Sequence, residues 1–221
     1  MSSRQLAAIM FTDIVGYTAL MGKDEGKAMA LLKKNRRLQK PLIEQFSGKL
    51  LKEMGDGILA SFSTVSDAVI CAGGIQNACE NESDLSLRIG IHVGEVIFED
   101  GDIFGDGVNI ASRLEAMAPI DGILVSEAVH KNIKNKEGID STFVSEETLK
   151  NVDEPVKVYE VKVSSEIAAT ARPKASETPP SSFLTELNRR NVWRAALAYI
   201  ILALLANQLY HILTGLVEWN S

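Results

Sequence analysis

The sequence predicts an α+β sandwich of ferredoxin-like type. Apolar runs of strand length alternate with stretches of helical periodicity, and a glycine-flanked turn joins two of the short runs as a hairpin. With 221 residues, 46% of them hydrophobic, the chain can bury one sizeable core and still leave length for an appendage.

The first element is the apolar run 6–11, which reads as a buried strand. "DEGKAMALLKKNRRLQKPLIEQFSG" follows as a helix closed by Gly48, with Pro41 expected to kink or break it. "KLLKEMGDGILASF" places two apolar runs around Gly55-Asp56-Gly57, a hairpin signal. A second helix starts near Thr64, with Asp67 three residues on, and runs to about Asn81. "LSLRIGIHVGEVIF" alternates as a long strand, with Gly94 expected as a bulge. The loop "EDGDIFGDG" leads into the helix "VNIASRLEAMA", the strand "ILVS", a short helix from Glu127 to Ile133, and closing strands at "STFVSEE" and "VKVYEVKV".

Beyond this unit, residues 164–182 are small, polar and proline-bearing, which predicts a flexible linker. No charged residue lies between Arg194 and Glu218, so 183–221 reads as a juxtamembrane segment and a transmembrane helix at about 195–217. Arg189, Arg190 and Arg194 precede it and no Lys or Arg follows it, which puts the large domain on the cytoplasmic side of a single-pass span. Asn207, Gln208 and His211 share one helical face and support the alternative of a soluble amphipathic helix.

The formal net charge of −6 argues against a nucleic-acid partner, because such proteins gather basic charge on one face. The two cysteines, Cys71 and Cys79, fall eight apart in a predicted helix, about 12 Å along its axis and too far for a disulfide. A reducing compartment suits them. The first residues show no secretory signal pattern.

Chemistry enters at Asp13. A carboxylate that ends a buried strand is costly to desolvate unless it is hydrogen-bonded, paired or bound to a cation. Asp56, in the hairpin turn, is the candidate partner. On its own it reads first as turn chemistry. Two aspartates at the ends of neighbouring strands also make a Mg²⁺ site, since Mg²⁺ favours one or two carboxylates plus substrate phosphates. Asn109 and Arg113 lie four apart and share a face of the proposed helix. His92 has no His or Cys cluster around it and is not expected to hold a metal.

"FTDIVGYT", "KEMGDGILASF", "RIGIHVGEV" and "IFGDGVNIASRLE" stand in the order and wording of the class III nucleotidyl cyclases, which the chain resembles from about Leu6 to Val163. The resemblance implies a cyclase sandwich of βαββαβ type over residues 1–163. It implies that Asp13, Asp56 and the backbone carbonyl of Ile14 hold two Mg²⁺ or Mn²⁺ ions on a nucleoside triphosphate. It implies that Lys52 and Asp102 select the base, that Asn109 orients the ribose, and that Arg113 stabilises charge on the α-phosphate. A lysine with an aspartate suits adenine, which offers an exocyclic amine as donor and a ring nitrogen as acceptor. The chain departs from vertebrate membrane cyclases at their triphosphate-binding lysine, where "NVDEP" stands; Lys150 is the candidate contact here.

In that family the metal half of one protomer faces the base-selecting half of the other, which implies a homodimer with two sites. The C-terminal segment also resembles the membrane anchor of some bacterial cyclases. The expectation is therefore an adenylate cyclase held in the bacterial inner membrane that converts ATP to cyclic AMP and pyrophosphate. Alternatives are a guanylate cyclase, or a silent cyclase-like module that only dimerises or binds nucleotide. A polymerase-like or cyclic-dinucleotide enzyme lacks its GGDEF-type signature in this sequence.

Overall fold

Alternation along the first strand, β1 (Ser3–Ile14), divides the molecule into two apolar layers. Ala8, Met10 and Ile14 enter one core, while Ala7, Ile9 and Phe11 enter another. The computed structural model describes residues 3–99, 102–148 and 155–170. All of these fall within one unit, Met1–Pro173.

The larger core is covered by α2 (Glu25–Gln45), α3 (Val65–Cys79) and α5 (Glu127–Ile133), which contribute Leu31, Leu42, Ile43, Val69, Ile75 and Val129. On the opposite face α4 (Asp106–Met117) inserts Ile110, Ala111 and Leu114. Both long helices start on capping side chains. Asp24 accepts from the Lys27 amide at 2.9 Å, and Thr64 accepts from the Asp67 amide at 3.1 Å.

The remaining strands are β2 (Lys49–Met54), β3 (Gly57–Phe62), β4 (Leu87–Glu99), β5 (Asp102–Phe104), β6 (Ile123–Ser126), β7 (Ile139–Glu147) and β8 (Val156–Val163). They form an eight-stranded sheet in the order β2-β3-β1-β4-β6-β8-β7, with β5 on β4. The pattern β1-α2-β2-β3-α3-β4, with antiparallel neighbours in the order β2-β3-β1-β4, is the ferredoxin-like half. The parallel pairing of β4 with β6 adds the second half.

Two glycines set the site's scaffold. Gly55, at φ +67°, makes the turn between β2 and β3 that an L side chain would strain. At Gly90 a Cβ would lie 2.1 Å from the Glu115 amide nitrogen and 2.4 Å from the Ala111 carbonyl oxygen. Only the missing side chain lets α4 descend onto β4.

Several expectations are corrected. Pro41 lies inside α2 without ending it. β4 runs through Gly94 in unbroken register; the register shifts fall instead between Leu50 and Lys52 and between Phe143 and Ser145. The short helix α1 (Tyr17–Lys23) and the strand β5, inside what reads as a loop, are additions. Residues 165–170, placed in the linker on composition, form α6 (Ser165–Thr170), where Ala168 is buried and the Ser164 amide donates to the Gly138 carbonyl. Small residues read as linker until a partner surface buries them. Among the described residues no helix is long and apolar enough to cross a membrane. The proposed span 195–217 and Lys150 both lie outside the described residues.

Candidate active site

The pairing of β1 with β3 ends at Thr12 opposite Ile58, so the turn holding Asp56 lies beside the end of β1. Asp13 follows Thr12 on the opposite face of the strand, toward α4. The two carboxylates are close enough to raise the pKa of Asp56, for which burial is the larger cause and the Asp13 charge the next. Ile14, the last residue of β1, precedes a tight turn through Gly16 at φ +77°.

A third carboxylate approaches from α4. Burial, followed by the charge of Asp13, pushes the Glu115 pKa up to about 7. Arg88, paired with Asp13 across β4 and β1, donates from Nη2 to Asp13 Oδ2 at 2.9 Å, and its Nε lies 3.6 Å from Glu115 Oε1. That last separation is too long for a hydrogen bond, and both atoms are buried without a hydrogen-bond partner. The cluster gathers three carboxylates around one guanidinium and is short of positive charge. Hard oxygen donors in that state suit a divalent cation. Among the described residues no three His, Cys, Asp or Glu side chains form a metal cage by themselves. Asp13 and Asp56 therefore fit an ion whose remaining ligands come from substrate oxygens, and not an all-protein site.

Next to the cluster opens a cavity of about 450 Å³. Asp13, Lys52, Asp102, Asn109 and Glu115 line it, with Phe104 at the apolar side. Lys52, on β2, donates from Nζ to Asp102 Oδ2, on β5, at 2.8 Å. Asp102 Oδ1 accepts from the Ile103 amide at 2.9 Å. The hydrogen bond from Lys52, then that from the amide, holds the Asp102 carboxyl below the usual carboxylate range. Arg113 stands one turn beyond Asn109 on α4, half-buried, and does not line this cavity.

The structure thus brings Asp13, Lys52, Asp102 and Asn109 around one cavity, with Asp56 in the turn beside the end of β1, while Arg113 is not among the lining residues. Arg88 and Glu115 escaped a role in the sequence reading. The contact of Arg88 with Asp13 spans 75 residues of sequence, and Glu115 joins the cluster through Arg88, so no local pattern marks either. His92 is held neutral: burial lowers its pKa to about 4, and its Nδ1 lies 2.8 Å from Ser126 Oγ.

With that geometry in hand, the likenesses to known proteins are specific. Residues 1–163 match the family model of the adenylate and guanylate cyclase catalytic domain. The chain is 35% identical over 130 residues to an adenylate cyclase of Streptomyces coelicolor, covering 58% of this chain and 34% of that one. It is 33% identical over 127 residues to the adenylate cyclase of Streptomyces griseus, covering 57% of this chain and 32% of that one. The chain spans about a third of the length of these curated relatives. Among solved structures, an adenylate/guanylate cyclase/hydrolase from Silicibacter pomeroyi superposes with a TM-score of 0.69 at 37% identity, over 73% of this chain and 99% of that one.

Proposed function

Because this chain belongs to the adenylate and guanylate cyclase catalytic-domain family, we propose that it is an adenylate cyclase that converts ATP to 3′,5′-cyclic AMP and pyrophosphate. The observation that carries the choice of substrate is the 2.8 Å contact between Lys52 and Asp102 at the cavity wall. An ammonium donates to an adenine ring nitrogen and a carboxylate accepts from its exocyclic amine. Guanine presents the reverse pattern, a carbonyl and a protonated ring nitrogen, so the same pair would oppose it. Holding Lys52 and Asp102 against each other keeps both heads aimed before substrate arrives.

Class III cyclases depend on metal ions in general. When bound at Asp13, Asp56 and the Ile14 carbonyl, two Mg²⁺ or Mn²⁺ ions would neutralise triphosphate charge and ease deprotonation of the ribose 3′-hydroxyl. The chain's own groups do the rest. Asn109 orients the ribose so that its O3′ lies in line with the α-phosphorus. The O3′–P bond forms as the bond from that phosphorus to the bridging oxygen of pyrophosphate breaks, and the hydroxyl proton leaves to solvent. Arg113 meets the charge developing on the α-phosphate with a permanently charged planar donor. Lys150 is proposed as a contact to the triphosphate.

Asn109 lines the cavity of its own chain, whereas Arg113 does not. With Arg113 outside that cavity, the proposed site is completed across a homodimer, the aspartates of one chain facing the base-selecting residues, Asn109 and Arg113 of the other. Segment 195–217 is proposed as a single-pass anchor in a bacterial inner membrane, with the catalytic domain in the cytoplasm. The direct test is purified chain with ATP or GTP and Mg²⁺ or Mn²⁺, the product identified by mass. Cyclic AMP from ATP in excess of cyclic GTP from GTP is the expected result. Predominant cyclic GTP would make it a guanylate cyclase, and no product with retained nucleotide binding would make it a silent module.

A further inference from the structure

Behind the two aspartates runs a chain of buried hydrogen bonds that no part of the cyclisation chemistry uses. Thr12 Oγ1 donates to Gln39 Oε1 at 3.0 Å, Gln39 Nε2 donates to Asn35 Oδ1 at 2.5 Å, and Asn35 Nδ2 donates to the backbone carbonyl of Asp56 at 3.4 Å. Thr12 and Asn35 are each 1% exposed and Gln39 is fully buried. Asn35 and Gln39 lie four apart on α2, on the face that otherwise carries Leu31, Leu42 and Ile43.

Two amides on an apolar helix face are unusual, because leucine there would fill the space without polar atoms to satisfy. Here every link points the same way, from hydroxyl to amide to amide to carbonyl, so each bond polarises the next. The ends of the chain matter most. One is Thr12, whose neighbour in β1 is Asp13. The other is Asp56 itself, gripped by its backbone.

We propose that Thr12, Gln39 and Asn35 are positioning residues that fix the separation of Asp13 and Asp56, using α2 as the rigid spacer between strand end and hairpin turn. The proposal rests on the assignment of those aspartates as the metal-holding pair. The two carboxylates repel, and Asp56 sits in a tight turn beside Gly55, at φ +67°. A spacer of fixed length holds them at one distance in spite of that repulsion. Residues that orient metal ligands from behind are worth about 10- to 100-fold in metal affinity or activity.

The test compares the full-length chain with a triple variant, Thr12→Val, Asn35→Leu and Gln39→Leu, which removes every member at once and leaves no orphaned polar side chain. Thermal melting, Mn²⁺ binding in the presence of a non-cyclisable ATP analogue followed by electron paramagnetic resonance, and cyclic AMP formation are measured together. The expected result is a folded variant whose Mn²⁺ affinity falls about tenfold or more, with a matching loss in kcat and an ATP KM within about threefold of the parent. A folded variant with Mn²⁺ affinity and kcat within twofold of the parent overturns the proposal.

If the triple variant does not fold, Thr12→Val against Thr12→Ser decides, since serine keeps the hydroxyl and valine keeps the shape. Weaker Mn²⁺ binding in valine alone supports the spacer; equal binding refutes it. If the parent chain forms no cyclic AMP, the proposed function fails and the Mn²⁺ arm judges the spacer by itself. If the parent binds no Mn²⁺, the metal pair and the spacer fall together.

Discussion

Arg88 and Asp13 face each other across paired positions of β4 and β1, joined by a hydrogen bond of 2.9 Å, and the same guanidinium lies 3.6 Å from Glu115. Arg88 thus stands in for part of the positive charge that the carboxylate cluster calls for. Arg88→Met should destabilise the metal-free chain by about 1–2 kcal/mol, a figure reduced for side chains that are a quarter to a third exposed. Mn²⁺ should restore a larger share of melting temperature in the variant than in the parent. Equal Mn²⁺ stabilisation in both would separate Arg88 from the metal site.

The approach of α4 to β4 rests on Gly90, where a Cβ would meet backbone atoms of Glu115 and Ala111 and not the end of a mobile side chain. Gly90→Ala must therefore push the helix that carries Asn109 and Arg113. A loss of about 1–3 kcal/mol in denaturant unfolding is expected, with catalysis impaired in whatever remains folded. Normal stability and turnover would show that α4 is free to shift.

His92 supplies a pH dependence remote from the metal ligands. Its pKa in the folded chain is about 4, below the 6.5 of an unburied histidine, because burial disfavours the imidazolium. The unfolded state therefore binds the proton first. Stability from this group is complete above about pH 6.5 and is lost as pH falls toward 4, on the order of 2 kcal/mol for a side chain that is not wholly buried. His92→Gln should flatten the fall in unfolding free energy over that window. An unchanged slope would mean that the ring is hydrated in the folded state.

Base choice is read at Lys52 and Asp102. Lys52→Glu with Asp102→Cys removes the donor to the adenine ring nitrogen and the acceptor for its amine, so ATP use should drop and the ratio of GTP to ATP turnover should rise. Competition kinetics with both nucleotides measures this. An unchanged ratio would place the base elsewhere.

The fold was most legible where one period is strong and bounded. "ILVS" and the helix from Glu127 to Ile133 coincide with β6 and α5, and Thr64 caps α3 as its spacing from Asp67 predicts. It was least legible where a neighbour decides the structure. β5 is three residues long and exists because β4 pairs with it, and α6 exists because its alanine finds a surface. The same division holds in the site. Asp13 and Asp56 stand out as carboxylates at a strand end and a turn, and the resemblance named Lys52 with Asp102. The buried Asn35 and Gln39, and the contact of Arg88 with Asp13, depend on partners 21 to 75 residues away in the chain, which periodicity does not encode.

In the proposed dimer one reaction joins the aspartates of one chain to Arg113 of another. Asp13→Ala and Arg113→Ala should each reduce cyclic AMP formation at least about a hundredfold alone. Mixed, they should recover, because in a heterodimer both lesions fall in one site while the other pairs intact aspartates with an intact arginine. Random pairing makes half the dimers mixed with one good site in two, so about a quarter of wild-type activity is the predicted result for a two-fold symmetric dimer. No recovery in a sample shown to contain mixed dimers would contradict the account, since every site built within a single chain would carry its own lesion.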